Sequence, residues 1–369
     1  MLTRRIAIGS LLIAAIAGCA APQDAVKQGY LFAGGQYIDT KAGQIMAGQM
    51  YAEYRIPAKV TKPYPIVMIH GAAQTGTNFT GTPDGRKGWA DYFVEQGYAV
   101  YVVDQPARGR SADAGNVGEV SRFSADIIEK RFTATAKFKL WPKAELHTQF
   151  PGDGPNKGLR GDPVFDQFYA SQVQLLRPNS VSEKLLREAG AALLDKIGPA
   201  IIMTHSQSGP FGWVIADARP KLVKGIVAAE PSGPPFREAV FGTAAARAWG
   251  VTETPMAYTP AVTDPAQIAK AEDAAADGPN LVKCMLQAEP ARKLTNLQNV
   301  PVLVFAAEAS YHAIYDHCTA KYLKQAGVKT DFVRLEDAGI KGNGHMVMIE
   351  KNNLDIAAMI AGWLNKNVR

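Results

Sequence analysis

A serine stands at the centre of the short stretch THSQSG, residues 204–209, between two apolar runs. The run PAIIM before it predicts a strand, and PFGWVIADARP after it predicts a helix. A serine on a sharp turn between a strand and a helix exposes its hydroxyl at the carboxyl edge of a sheet. We therefore expect Ser206 to be a nucleophile, and the alternative is an ordinary polar turn.

The turn departs from the usual G-x-S-x-G pattern of a nucleophile turn. Thr204 and Ser208 occupy the two positions that are normally glycine. Both are small, but the β-branched side chain of Thr204 fits less well where backbones crowd together. The turn alone does not decide between the two interpretations, so Ser206 needs partners elsewhere in the chain.

Two other stretches supply candidate partners. IVMIHGAAQTG reads as a strand that ends at His70-Gly71, and the loop after such a strand provides an oxyanion-hole donor. We expect the N–H groups of Ala72 and Gln207 to be the two donors. GNGHMVMIEKNN places His345 in a glycine-rich loop between the last strand and the last helix, where it could act as the proton shuttle.

The acid that would orient His345 has two candidates. Glu308 follows the apolar strand PVLVF, and Glu230 ends the run GIVAAE, which is the strand after the helix of the nucleophile. Either carboxylate could hold the imidazole tautomer and stabilise the imidazolium. The residues by themselves leave both open.

The elements that must position these side chains follow an alternating pattern. After a predicted strand pair, GYLFAGGQYID and GQMYAEYRIPA, short apolar runs alternate with helical segments. Strands that are apolar throughout, with helices between them, are typical of a parallel sheet covered on both faces. We predict an α/β fold with a mostly parallel central sheet over residues 28–369.

Two long insertions interrupt the alternation, at about 112–180 and 234–298. Loops of this length in a compact domain are often lids, although simple packing is the alternative. Trp141 and His147 lie in the first insertion, and we predict that both contact substrate.

The first 18 residues combine a basic pair, an apolar stretch and small residues, which is the layout of a secretory signal peptide. The segment ends in Ile-Ala-Gly-Cys19 and so resembles the lipobox of bacterial lipoproteins. We expect lipidation of Cys19, a linker over 19–27 and an outer-membrane location, since Ala20 rather than Asp follows the cysteine. A plain cleaved signal or a buried helix is the alternative.

Composition narrows the function classes further. The formal net charge of +6 is spread without a long basic block, which argues against nucleic-acid binding. No His/Cys/Asp cluster at ligand spacing predicts a metal, and we expect no cofactor. If Cys19 carries lipid, Cys284 and Cys318 remain as one pair, and they are either bonded or two separate buried thiols.

Longer stretches carry a family resemblance. The chain resembles the secreted Alcaligenes-type esterases, a divergent group of α/β-hydrolases, in HGAAQTG, TPDGRKGWADYF, GYAVYVVDQPARGRSA, HTQFPG, GDPVFDQFYAS, HSQSG, AAEPSG and GNGHMVMIEKNN. These stretches fall in the same order and span most of the chain from residue 70 onward. The resemblance implies an α/β-hydrolase fold and a triad of Ser206, Glu230 and His345.

One departure from that family concerns the loop after His-Gly. The family is known with two adjacent, disulfide-bonded cysteines where this chain has Ala72 and Ala73. The backbone N–H donors remain, but the sequence does not show what holds the loop after His-Gly in place without the disulfide. We expect a serine carboxylesterase that acts on a small-molecule ester through an acyl-enzyme. The alternatives are hydrolysis of a lactone, an amide or a carbon–carbon bond, or a non-catalytic ligand-binding lipoprotein; the oligomeric state is not predicted.

Overall fold

The computed structural model describes residues 26–111 and 118–369. The predicted signal peptide and Cys19 lie outside the described residues, as do residues 112–117 at the start of the first insertion. Within the two described ranges, none of the helices has the length and apolar character needed to span a bilayer.

Eight strands form the central sheet. They are β1 Lys27–Thr40, β2 Gly43–Ile56, β3 Ile66–Ile69, β4 Val100–Asp104, β5 Ala200–His205, β6 Val223–Ala229, β7 Val302–Ala306 and β8 Thr330–Arg334. Their spatial order is β1-β2-β4-β3-β5-β6-β7-β8. Only the pairings that involve β2 are antiparallel among these eight strands. The predicted mostly parallel sheet is confirmed.

Nine α-helices connect and cover these strands in the described part of the chain. They are α1 Thr77–Thr80, α2 Trp89–Glu95, α3 Ala125–Ile128, α4 Thr135–Phe138, α5 Pro163–Ala170, α6 Asn179–Ile197, α7 Gly209–Ala218, α8 Asp316–Gln325 and α9 Asn353–Asn367. A π-helical turn, Glu129–Thr133, joins α3 to α4.

The inner strands of the sheet are buried on both faces, which explains their uninterrupted apolar runs. One core cluster contains Leu186 of α6, Phe211 of α7 and Tyr322 of α8. The other contains Phe93 of α2 and Ile356 of α9. Since every residue of β3, β5 and β7 is buried, neither face of these strands presents a polar side chain to solvent.

The two long insertions have little regular structure. The first carries α3, α4, α5 and the strand pair Glu119–Ser121 with Leu175–Arg177. The second carries two short strand pairs, Lys270–Glu272 with Met285–Gln287 and Tyr258–Thr259 with Lys293–Leu294. A 3-10 turn directly follows Lys293–Leu294. A disulfide joins Cys284 of the second insertion to Cys318 of α8, with Cα atoms 5.1 Å apart.

Parallel order determines where the loops meet. The residues that follow β3, β5, β6 and β7, and the loop that follows β8, all emerge at the carboxyl edge of the sheet. Side chains that are more than 100 positions apart in the chain can therefore be close together at that edge.

Candidate active site

Ser206 follows the last residue of β5 in a strained backbone conformation. Its φ of 58° lies in the left-handed region, which residues other than glycine seldom adopt. Gly209 begins α7 so close to the next loop that a Cβ there would lie 2.3 Å from Cβ of Pro231. The tight turn brings Ser206 into the wall of a cavity of about 240 Å³.

The side chains that replace the usual glycines are accommodated locally. The Ser208 hydroxyl accepts a hydrogen bond from His205 N at 2.8 Å and donates one to Ile69 O at 2.7 Å, which ties the turn to β3. A methyl of Thr204 lies 3.3 Å from where a Cβ of Gly212 would be. Because Gly212 has no side chain, the β-branched Thr204 fits against α7.

Ala72 and Gln207 line the same cavity as Ser206. The loop that contains Ala72 is held without a cysteine pair. Ala73 has a φ of 57°, and its carbonyl accepts a hydrogen bond from Val173 N at 2.9 Å. The backbone N–H groups predicted as oxyanion donors therefore belong to the loop after β3 and to the turn of Ser206 itself, which line one cavity.

A buried arginine joins these two loops. Arg108 donates from Nη1 to Gly71 O at 3.0 Å and from Nη2 to Gln207 Oε1 at 2.8 Å. Burial and the nearby Arg177 lower the pKa of Arg108 to about 9, so the guanidinium stays charged at neutral pH. This cation was missed by the sequence analysis, because an arginine in a loop gives no local sign of burial.

His345 and Glu230 meet at the carboxyl edge. Nδ1 of His345 lies 2.5 Å from Oε2 of Glu230, and both side chains are buried. Burial raises the pKa of the Glu230 carboxyl, while donors from Ala307 N at 2.7 Å and Ser310 Oγ at 2.8 Å oppose that rise. Burial lowers the pKa of His345 to about 3, so the imidazole is neutral and can accept a proton at Nε2.

Glu308, the other candidate acid, contacts a different part of the histidine loop. Its Oε2 accepts a hydrogen bond from Gly342 N at 2.9 Å. The carboxylate therefore supports the backbone three residues before His345, whereas Glu230 faces the imidazole itself.

A third carboxylate, that of Glu350, organises the histidine loop from within. It accepts hydrogen bonds from Gly344 N at 2.9 Å and from Asn343 Nδ2 at 2.7 Å. Its Oε1 lies 2.7 Å from Nε2 of His147. Glu350 thus links the His345 loop to the first insertion.

His147 and Trp141, predicted as substrate contacts, lie outside the set of residues that line the cavity. Both are buried. The other ring nitrogen of His147 is 2.9 Å from Thr135 Oγ1, and Trp141 Nε1 donates to Ala309 O at 3.0 Å. The polar atoms of both side chains are hydrogen-bonded within the protein, and substrate contact by these residues stays a prediction.

Three polar rings, besides that of Phe132, surround the imidazole of His345, and the sequence predicted a role for none of them. His205 Nε2 donates to the carbonyl of His345 at 2.9 Å. The ring of His312 stacks on that of His345 with centroids 4.5 Å apart. The Tyr311 hydroxyl lies 3.4 Å from Nε2 of His345. The sequence signals that could have indicated them are the position of Tyr311-His312 soon after β7 and that of His205 directly before Ser206.

Glu230, His312 and His345 also have ligand-type atoms within 4.8 Å of one another, the spacing of a metal site. Their nitrogen and oxygen atoms already have protein partners. Nδ1 of His312 lies 3.0 Å from Asp316, and its Nε2 lies 3.1 Å from the Tyr315 hydroxyl. This geometry suits a hydrogen-bonded proton relay better than metal ligation.

The sequence pattern of one family covers most of this architecture. The profile of the alpha/beta hydrolase family matches residues 66–359, from the start of β3 into α9. The chain belongs to the alpha/beta hydrolase family. Within the family it is similar to the "Probable secreted lipase phiG" of Fungal sp. (strain ATCC 74256), with 50% identity over 317 residues and 86% of each chain covered.

A solved structure, that of a novel bacterial esterase, shares the fold. The two superpose with a TM-score of 0.63, covering 95% of this chain and 98% of the other, at 22% identity. That likeness includes the N-terminal strands that precede the family match.

Proposed function

We propose that this alpha/beta hydrolase is a serine carboxylesterase that uses Ser206, His345 and Glu230. The observation that carries the proposal is the 2.5 Å contact between Glu230 and His345 at the sheet edge where Ser206 lines a cavity. A nucleophile on a strained turn, a neutral buried imidazole and a carboxylate behind it are the components of acyl transfer.

The proposed mechanism follows from these positions. His345 Nε2 takes the Ser206 proton as Oγ attacks the ester carbonyl, and the Ala72 and Gln207 N–H groups stabilise the tetrahedral oxyanion. His345 then protonates the leaving alkoxide, which leaves an acyl-enzyme. Water attacks the acyl-enzyme with His345 as base, and the acid is released. Glu230 stabilises the imidazolium in both steps.

The relatives support ester chemistry. The 50% identical fungal protein bears the name of a secreted lipase, and lipases hydrolyse carboxylic esters. The same name supports export of this chain. We further propose the narrower assignment to the Alcaligenes-type esterases on the stretches they share, with Ala72 and Ala73 as the departure and Arg108 as the group that ties the loop in place of cysteines.

The Ser206→Ala variant tests the enzyme proposal. Turnover of p-nitrophenyl acetate should fall by several orders of magnitude, and a fluorophosphonate should label the parent but not the variant. Ser180→Ala, in the first turn of α6, is the matched serine control and should behave as the parent. Turnover of Ser206→Ala within tenfold of the parent would show that another residue is the nucleophile. A parallel panel of esters, lactones and amides identifies the bond that is cleaved.

We also propose that Cys19 is lipidated and anchors the chain to the bacterial outer membrane. The support is the Ile-Ala-Gly-Cys segment after an apolar stretch. The parent should incorporate labelled palmitate and partition into detergent, and Cys19→Ser should do neither. Equal labelling of both proteins would contradict the anchor.

A further inference from the structure

The cavity beside Ser206 has an unusual balance of charge. Arg131, Arg177 and Arg247 all contribute to its wall. Among the lining residues in the described part of the chain, Glu238 is the one carboxylate. A neutral ester gives no reason for three guanidinium groups around a cavity of about 240 Å³.

One arginine is already neutralised. Arg247 is buried, its Nη1 lies 2.9 Å from Glu238 Oε1, and its Nε donates to Pro234 O at 2.7 Å. This pair holds the second insertion together. Because Glu238 is paired with Arg247, the guanidinium groups of Arg131 and Arg177 have no counter-ion among the residues that line the cavity.

Arg131 lies close to the reaction centre. Its guanidinium carbon is 3.8 Å from the centroid of the Phe241 ring, and Phe241 is 5.0 Å from the ring of Tyr311. The Tyr311 hydroxyl in turn lies 3.4 Å from Nε2 of His345. Across residues 26–111 and 118–369, Arg131 makes no ion pair, and its guanidinium lies over the Phe241 ring.

Arg177 also lines the cavity, and it is the last residue of the short strand Leu175–Arg177 in the first insertion. Its Nε donates to Ser121 Oγ at 3.3 Å, and within residues 26–111 and 118–369 its two outer nitrogens have no hydrogen-bond partner. The buried Arg108, which donates to the lining residue Gln207, adds a third positive charge, and its repulsion with Arg177 is one cause of the lowered pKa of Arg108. An anion in the cavity would relieve this repulsion.

We propose that the substrate is an ester that carries a carboxylate, such as a half-ester of a dicarboxylic acid, and that Arg131 and Arg177 bind that carboxylate. The planar guanidinium presents paired donors that match a carboxylate. The rings of Phe123, Phe132 and Phe241 suit the aliphatic chain between the two ends. The proposal rests on the proposed esterase function and specifies its substrate class.

Two substrates of similar length test this inference. Monoethyl adipate carries a carboxylate, and ethyl hexanoate is its neutral counterpart; hydrolysis of both is followed by acid release at constant pH. The parent should show a kcat/KM at least about tenfold higher for the half-ester, equivalent to about 1.4 kcal/mol. The KM for the half-ester should rise with added NaCl, whereas that for ethyl hexanoate should not.

Charge-removing variants assign the effect to residues. Arg131→Gln and Arg177→Gln should each lower the half-ester to neutral-ester ratio of kcat/KM about tenfold. Arg122→Gln removes an exposed arginine of the same segment that does not line the cavity, and it should leave the ratio unchanged. A parent ratio near one that neither cavity variant alters would overturn the proposal, while hydrolysis of ethyl hexanoate would still support the esterase.

Binding separates this inference from the enzyme proposal. Calorimetry with Ser206→Ala, which should not turn over, measures the affinity for monoethyl adipate directly. Affinity that weakens about tenfold in Ser206→Ala/Arg131→Gln supports the carboxylate site even if no ester is hydrolysed. Equal affinity in the two proteins, or no binding to either, would overturn it.

Discussion

Glu230 Oε2 lies 2.5 Å from Nδ1 of His345, although the two residues are 115 positions apart in the chain. Glu230 directly follows β6 with a φ of 47°, and this bend lets its carboxylate lie behind the imidazole. Glu308 follows β7, and its carboxylate accepts a hydrogen bond from Gly342 N instead of facing the imidazole of His345. The two carboxylates therefore have separable effects.

Substitution of the two glutamates should give unequal losses. Glu230→Gln should lower kcat on the order of 10³-fold with little change in KM, because the imidazolium loses its anionic partner. Glu308→Gln should cost less than about tenfold, since an amide oxygen can still accept the Gly342 N–H. Steady-state kinetics with p-nitrophenyl acetate measure both. If Glu308→Gln were inactive and Glu230→Gln active, Glu308 would be the triad acid. It follows the strand after which most families of this fold carry that acid.

Arg108 should act as a positioning residue for the oxyanion loops. Arg108→Met removes the bonds to Gly71 O and Gln207 Oε1, and we expect kcat to fall about tenfold or more while KM changes little. Arg110→Met is the control, because Arg110 pairs with Glu53 and Asp104 at the sheet rather than with these loops. If both variants lost thermal stability to the same extent and had the same kcat, Arg108 would have only a structural role.

His70 should contribute to acid sensitivity. Its Nε2 accepts from Gln105 N at 3.1 Å, which requires the unprotonated nitrogen, and burial lowers its pKa to about 3. Between about pH 6.5 and 3 the unfolded chain binds a proton here that the folded protein excludes. Stability from this group is therefore present above pH 6.5 and is lost as the pH falls towards 3.

The measurement compares urea unfolding of the parent and of His70→Gln. The free energy of unfolding of the parent should fall more steeply with acid, by about 1.4 kcal/mol per pH unit between pH 6 and pH 4. Groups common to both proteins cancel in the difference. Between pH 7.5 and 8.5 the two slopes should agree. Equal slopes in acid would show that His70 is protonated in the folded protein.

The disulfide should stabilise the second insertion against α8. Cys284 and Cys318 close a loop with a sequence separation of 34, and replacing both with serine should lower the free energy of unfolding by about 4 kcal/mol. Urea unfolding of the double variant and of the parent, with and without reductant, measures this. Reductant should lower the stability of the parent alone; a double variant as stable as the oxidised parent would contradict the role.

The sequence by itself determined the architecture and the chain order of the candidate groups. Uninterrupted apolar runs alternate with helical segments. Strands of this kind are buried on both faces, which predicts a mostly parallel sheet covered by the helices. Ser206 and His345 could be proposed because a strand-turn-helix junction and a glycine-rich loop are local features. Each of these patterns can be recognised from residues that are neighbours in the chain.

Only the tertiary structure decided which distant groups face one another. The sequence left Glu230 and Glu308 open without a family resemblance, and it assigned substrate contact to His147 and Trp141, whose polar atoms the structure engages with Glu350 and Ala309. The buried cation at Arg108 also had no sequence signal. The physical reason is that burial, pairing and ring stacking depend on contacts between segments far apart in the chain, which periodicity and spacing do not record.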